Sequence, residues 1–146
     1  ADLLVDRPRL RAWLVPGPGP VLLGFCGQAR PVERALTAAV DALGMVQGEP
    51  DEPRLNLLAS GRDGQVLALL FPRDAHRPAC YRAPEPERRI ISPGAIDMAG
   101  LLVTVRQRDF DALSPSLVRD IYRETSLATE RLALVRDLLE RRLAYA

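Results

Sequence analysis

The stretch FPRDAHRPACYR, residues 71 to 82, places four basic side chains within ten positions. It follows the apolar run VLALLF, which is typical of a β-strand, and supplies Arg73, His76, Arg77 and Arg82. Guanidinium groups match phosphate oxygens in bidentate geometry, so this basic rim, residues 73 to 82, predicts an anion-binding site. A surface loop is the alternative, in which the arginines are neutralised by nearby carboxylates: Asp74, Glu85 or Glu87.

The segment ISPGAIDMAG, residues 91 to 100, is a second candidate site. Ser92 and Gly94 could offer a hydroxyl and a backbone amide to an oxyanion, and Asp97 could orient an arginine or accept from a ribose hydroxyl. The alternative is a simple turn, since Pro93 and Gly94 are turn formers, with Ile96 and Met98 in the core. The glycine spacing fits neither a Walker loop nor a dinucleotide-binding fingerprint.

Asn56 and Ser60 are two further polar residues that could belong to a site. Asn56 lies within the apolar run RLNLLAS, where its amide needs either backbone partners or a ligand. Ser60 and Ser92 are not in a Gly-x-Ser-x-Gly elbow, and His76 is the only histidine that could act as their base. The sequence therefore does not favour a serine hydrolase.

Composition excludes several functional classes. The 146 residues are 47% apolar and 27% charged with a net charge of +1, which is typical of one globular domain and not of a polyanion-binding chain. All twenty basic residues besides the histidine are arginine, so no Schiff-base or phosphate-loop lysine exists. No apolar run approaches the roughly 18 residues that predict a membrane-spanning helix. We expect no cofactor, no metal site and no nucleic-acid or membrane partner.

Cysteine usage and the N-terminal stretch point to a compartment. Cys26 and Cys80 are too few and too far apart to predict a zinc site. The opening stretch ADLLVDRPRLRAW shows no signal peptide. We therefore expect two free thiols in a reducing cytoplasm.

The first half of the chain predicts a hairpin and a helix. Residues 10–15 and 21–25 have strand character and flank PGPGP, whose prolines favour the edge of a sheet. Pro31 suits the start of a helix in which Leu36, Val40 and Leu43 share one face. Gly44 is expected to end that helix.

The second half predicts a hairpin, one more strand and C-terminal helices. RLNLLAS and QVLALLFP flank GRDG, the strongest hairpin signal in the chain, and AGLLVTVRQ at 99–107 is rich in β-branched residues. Ser114 and Pro115 predict a capped helix start with Leu117, Ile121 and Tyr122 facing inward. A stripe of apolar residues continues to the end: Leu132, Val135, Leu139 and Leu143. The sequence leaves open whether residues 115–144 form one helix or two, and a bend is expected near Ser126. Asp137 and Arg141 are spaced for an ion pair along the helix.

This order of elements predicts an α+β fold. The strands come in hairpins and do not alternate regularly with helices, which favours a mainly antiparallel sheet over a doubly wound parallel one. We expect residues 1–146 to form a single domain.

Three stretches in linear order resemble a known family. PRLNLLAS…VLALLFPRDAHRPACY, ISPGAIDMAG and LLVTVRQRDFDALSP together resemble the C-terminal half of the galactose-1-phosphate uridylyltransferase branch of the histidine-triad (HIT-like) superfamily. Bacterial relatives of GDP-hexose phosphorylases and diadenosine polyphosphate phosphorylases are the nearest in pattern. The match runs from about Arg54 to Tyr122, roughly half of the chain.

The resemblance implies a HIT-like half-domain without its own nucleophile. In the family, a histidine of the N-terminal half attacks a nucleotide α-phosphorus; this chain has one histidine, and His76 is not placed like that nucleophile. The resemblance thus implies the C-terminal half of a longer protein, with no catalytic residue here. Its partners would be a nucleotide or nucleotide sugar, phosphate, the N-terminal half and, in a homodimer, a second copy. The resemblance implies a substrate-phosphate site lined by Arg73, His76, Arg77, Asn56, Ser92, Gly94 and Asp97. Arg73 is the first candidate, because it directly follows Pro72, which limits its backbone freedom. A non-catalytic HIT-like binding or dimerisation module is the alternative.

Overall fold

The computed structural model describes residues 1–16 and 19–144 and contains five strands and six helices there. The strands are β1 (Asp2–Arg7), β2 (Leu10–Val15), β3 (Leu22–Gln28), β4 (Leu55–Arg62) and β5 (Gln65–Pro72). The helices are α1 (Ala29–Gln47), α2 (Ala79–Arg82), α3 (Ala95–Met98), α4 (Gln107–Asp111), α5 (Pro115–Thr125) and α6 (Thr129–Ala144). In this part of the chain no helix is long and apolar enough to cross a membrane.

The strands form one antiparallel sheet in the order β1-β2-β3-β5-β4, which confirms the α+β prediction. The predicted β4–β5 hairpin is present. Its turn residues Asp63 and Gly64 have φ angles of 52° and 76°, as a type I′ turn requires. The β2–β3 pair is also present, although Gly17 and Pro18 of the predicted turn lie outside the described residues.

The predicted edge position of this β2–β3 pair is wrong. Strand β1 pairs with β2, and β5 pairs with β3, so neither strand lies at an edge. The sequence does not predict strand β1, because apolar and polar residues do not alternate in DLLVDR. The edges of the sheet are β1 and β4.

Helices α1 and α6 cover one face of the sheet. In α1 the fully buried positions are mostly small, namely Ala35, Ala39 and Ala42, with Leu43 beside them, while Leu36 and Val40 are half-buried. Gly44 lies inside the helix and does not end it, which corrects the prediction. The C-cap is Gly48, in the left-handed region at φ 72°, where a side chain would be strained.

Residues 115–144 form two helices, α5 and α6, and the break between them lies near Ser126, where the sequence predicts a bend. Ser114 caps α5 by accepting a hydrogen bond from the Leu117 amide at 3.2 Å. In α6 the four stripe residues are buried against α1 and the sheet: Leu132, Val135, Leu139 and Leu143. The carboxylate expected to pair along the helix with Arg141 instead contacts its neighbour, since Asp137 lies 3.1 Å from Arg136.

The strand predicted at 99–107 is wrong. Residues 99–106 belong to no helix or strand, and α4 begins at Gln107. Of the short helices that surround this segment, α3 packs against β4 on the second face of the sheet. There Phe71 packs with Met98 and Tyr122 in a small apolar cluster. Ile96, expected in the core, is 57% exposed.

Candidate functional site

The Arg73 guanidinium is the centre of the region that the sequence singles out. It follows β5, is fully buried, and its nitrogens donate to five oxygens of the protein. Four are backbone carbonyls, of Thr125 (2.9 Å), Pro93 (2.8 Å), Ala75 (3.0 Å) and His76 (3.3 Å), and the fifth is the side-chain amide oxygen of Asn56. These are as many hydrogen bonds as an arginine side chain has donors.

This geometry removes Arg73 from the set of phosphate ligands. Burial lowers the pKa of Arg73, and the nearby Asp97 carboxylate raises it in part. All five N–H groups of the guanidinium donate to protein oxygens, so none remains for an incoming anion. The sequence predicts a phosphate ligand at Arg73, whereas the structure shows a side chain that links several segments of the chain. The side-chain amide oxygen of Asn56 accepts a hydrogen bond from this buried cation.

The backbone around Arg73 is fixed by a short ladder that extends β5. The Arg73 amide donates to Arg54 O at 3.0 Å, and the Asp74 amide donates to Thr125 O at 3.2 Å. Leu127 N donates to Pro72 O at 3.0 Å, which ties the α5–α6 junction to the end of the strand. The two pairings with the α5–α6 junction have no local signal in the sequence, because their partners are more than fifty residues apart.

Gln47 completes this framework from the end of α1. Its side-chain nitrogen donates to the carbonyls of Arg73 (2.7 Å) and Arg54 (3.1 Å), and its oxygen accepts from Arg54 N at 2.7 Å. A glutamine at a helix C-terminus gives no signal in the sequence for such a role.

The part of the basic rim beyond Arg73 is accessible. His76, Arg77 and Ser92 are exposed, and Ser92 Oγ donates to His76 O at 3.2 Å. The guanidinium of Arg77 lies over the Tyr81 ring, 4.5 Å from its centroid, and Arg88 approaches the same ring at 5.8 Å. His76, Arg77 and Ser92 therefore share one surface, with Arg77 oriented by an aromatic platform.

Two of the three carboxylates expected to neutralise the rim have other partners. Asp74 pairs with Arg131 and also accepts from Ala128 N, which binds the start of α6. Glu85 pairs with Arg108 at 2.8 Å, which holds the pKa of Glu85 below its usual range. Within residues 1–16 and 19–144, Arg77 and Arg82 contact no carboxylate, so their charges remain available to an anion.

The segment 91–100 turns out to be satisfied internally. Asp97 accepts from Gly94 N at 2.8 Å and from Val103 N at 2.7 Å, so the Gly94 amide is not free for an oxyanion. Tyr122 OH donates to Asp97 O at 2.7 Å, and burial raises the pKa of this phenol. Of the residues predicted in this segment, only Ser92 is exposed toward the rim.

Asp109 is a buried functional group that the sequence did not single out. Arg106 donates to both of its oxygens, at 2.7 and 2.9 Å, and Ile90 N donates at 3.0 Å. The hydrogen bond from Arg106 lowers the pKa of Asp109. The spacing R-x-x-D within VRQRDF is the only signal that could have indicated this pair.

A cavity lies at the other end of the sheet. It measures about 310 Å³ and is formed by the β1–β2 turn and the start of α1, with Arg7, Arg9 and Arg34 among its lining residues. Leu10, which lines this cavity, is in register with Gly27 and Val66, so the cavity and Arg73 lie at opposite ends of β5. Among the described residues no three His, Cys, Asp or Glu side chains cluster as metal ligands would.

Comparisons with family models, with curated proteins and with solved structures found no match to this chain. The resemblance to the HIT-like superfamily therefore stays a prediction from the three stretches of sequence.

Proposed function

We propose that this domain is the C-terminal half of a cytoplasmic nucleotidyltransferase or nucleotide phosphorylase. Its substrates would be nucleotide sugars or dinucleoside polyphosphates, and the catalytic histidine triad would belong to an N-terminal half. One observation carries the proposal: the stretches that resemble the family meet. The first two join at Arg73, which binds Asn56 and Pro93, and the third joins the second where Val103 N donates to Asp97.

The role we assign to this domain is phosphate contact at the rim. Arg77 stacks on Tyr81 by one face, so the N–H groups at the edge of its guanidinium stay free to donate to phosphate oxygens. His76 and Ser92 lie beside each other on the same surface. The chain supplies no nucleophile of the family's type, so the domain alone should bind and not turn over.

The test is nucleotide binding by the domain with Arg77 replaced. Titration calorimetry with GDP, ADP and inorganic pyrophosphate should show weakening of about tenfold or more in Arg77→Gln, because a charge-assisted hydrogen bond contributes about 1.5–3 kcal/mol. Arg62→Gln is the matched control, since Arg62 is an exposed arginine that pairs only with the neighbouring Asp63. Equal affinities in wild type and both variants would overturn the assignment of Arg77.

The second candidate is a non-catalytic HIT-like binding or dimerisation module. The observation that favours it is the single histidine, which leaves the chain without a histidine triad. Self-association without any nucleotide affinity would support this candidate over the first.

A further inference from the structure

Residues 101–105, Leu-Leu-Val-Thr-Val, have the pattern of a strand and yet pair with nothing. We call them the open segment. Their side chains alternate as in a strand: Leu101, Val103 and Val105 are 65%, 57% and 76% exposed, while Leu102 and Thr104 are half-buried. Valine and threonine are strong strand formers. These residue types explain why the sequence predicts a strand here, although the structure forms none.

The backbone of the open segment has one edge occupied and one edge free. Leu101 N donates to Ile96 O at 3.2 Å and Val103 N donates to Asp97 at 2.7 Å, both toward α3. Alternate residues of a strand direct their N–H and C=O groups to the same side, so those of Leu102 and Thr104 face the opposite side. Within the described residues these groups make no hydrogen bond.

Free strand edges are usually protected, and this edge is not. Natural proteins place lysine, arginine, proline or a bulge on such edges to prevent pairing with another chain. From Ala99 to Val105 the chain has no charged residue and no proline. The neighbouring exposed residues Ile96 and Phe110 add further apolar surface.

We propose that the open segment pairs antiparallel with the open segment of a second copy, forming a two-fold symmetric dimer. With the axis at Val103, Leu102 of each copy lies opposite Thr104 of the other. Each such pair exchanges two backbone hydrogen bonds, so four form in all, using the N–H and C=O groups that are now free. The chain is complementary to itself at this edge, as a two-fold interface requires.

The antiparallel order follows from two-fold symmetry. An axis perpendicular to the open segment at Val103 relates the two copies and brings the same free edge of each into contact. Because the contact is small, we expect a weak dimer that forms between micromolar and millimolar concentrations.

A cysteine cross-link tests the register. In a background of Cys26→Ser and Cys80→Ser, Val103→Cys should form a disulfide dimer under mild oxidation. Residues directly opposite at this type of position have Cα atoms about 4.5 Å apart, within disulfide range. Val105→Cys is the matched control, because its opposite residue is Leu101 and its counterpart lies four residues along the strand. Equal cross-linking of the two variants would overturn the register.

Sedimentation equilibrium tests the dimer itself. The wild-type mass should rise from 16.1 kDa toward twice that value with concentration. Thr104→Pro removes two of the four bonds and should weaken the dimer on the order of tenfold. Thr104→Ala keeps the backbone N–H and should still dimerise. A wild type that stays monomeric throughout would overturn the proposal and assign the edge to a different partner. Since nucleotide titration plays no part here, this outcome is separate from that of the proposed function.

Discussion

At the scale of single residues, Arg73 shows how a buried cation can be structural. Five neutral oxygens satisfy its guanidinium, and no carboxylate of residues 1–16 or 19–144 contacts it directly. Removing a charge from water is costly unless every donor is satisfied, which explains why so many segments converge on one side chain. The residue type and the strand end were visible in the sequence, but the direction of the side chain was not, because its partners come from distant loops.

Replacing Arg73 should therefore affect folding more than binding. We expect Arg73→Ala to lower the free energy of unfolding by about 3 kcal/mol or more, since several buried carbonyls would lose their only side-chain donor. Urea denaturation followed by circular dichroism measures this. Arg62→Ala, at an exposed turn, should stay within about 0.5 kcal/mol of wild type. A comparably small loss for Arg73→Ala would contradict the structural role.

At the scale of elements, local signals gave correct predictions and nonlocal ones did not. The β4–β5 hairpin follows from the turn GRDG, and α5 from its Ser-Pro start, because both are encoded within a few residues. Strand β1 depends on its pairing with β2, and the open segment has no strand partner among the residues that the structure describes. Strand propensity indicates that a segment can pair, whereas the partner is set by the whole fold.

The β2–β3 pair offers a test at this scale. Trp13 lies across Gly24, and a Cβ at Gly24 would come within 2.2 Å of the indole. We expect Gly24→Ala to displace the ring, shift the emission of this single tryptophan, and cost about 1–3 kcal/mol of stability.

Gly61→Ala is the control for that substitution. It is also a strand glycine, but its nearest contact would be an ordinary 3.5 Å from Gln65 O. If both variants show the same fluorescence and urea midpoint as wild type, the packing of Trp13 on Gly24 is not as described.

At the scale of the whole molecule, the sheet is covered unequally. Helices α1 and α6 cover one face of the sheet and bury the main apolar core there. On the other face, the described residues form a much smaller buried apolar cluster around Phe71. The short helices α2 to α4 and the loops between them, here called the second layer, are linked by polar contacts such as the ion pair of Arg106 and Asp109. We therefore expect its stability to depend on pH more than that of the main core.

Acid should loosen this layer through its carboxylates. A carboxylate with a lowered pKa stabilises the fold above its unfolded pKa, and that contribution is lost as the pH falls through the folded value. Asp109 and Glu85 both have lowered pKa values. Wild type should be more stable than Asp109→Asn at pH 6, and the difference in urea midpoint should shrink below about pH 4. The exposed Asp111→Asn provides the control, and a difference that stays constant down to pH 2.5 would exclude Asp109 as the cause.

The spacing of Arg73's partners along the chain also determines when the rim can form during synthesis. Asn56 leaves the ribosome before Arg73, but Pro93 and Thr125 follow 20 and 52 residues later. Until residue 125 has emerged, the guanidinium has only part of its shell and the β5 end lacks its pairing with the α5–α6 junction. The guanidinium stays hydrated until then, and the rim acquires its final shape only after residue 125 has emerged.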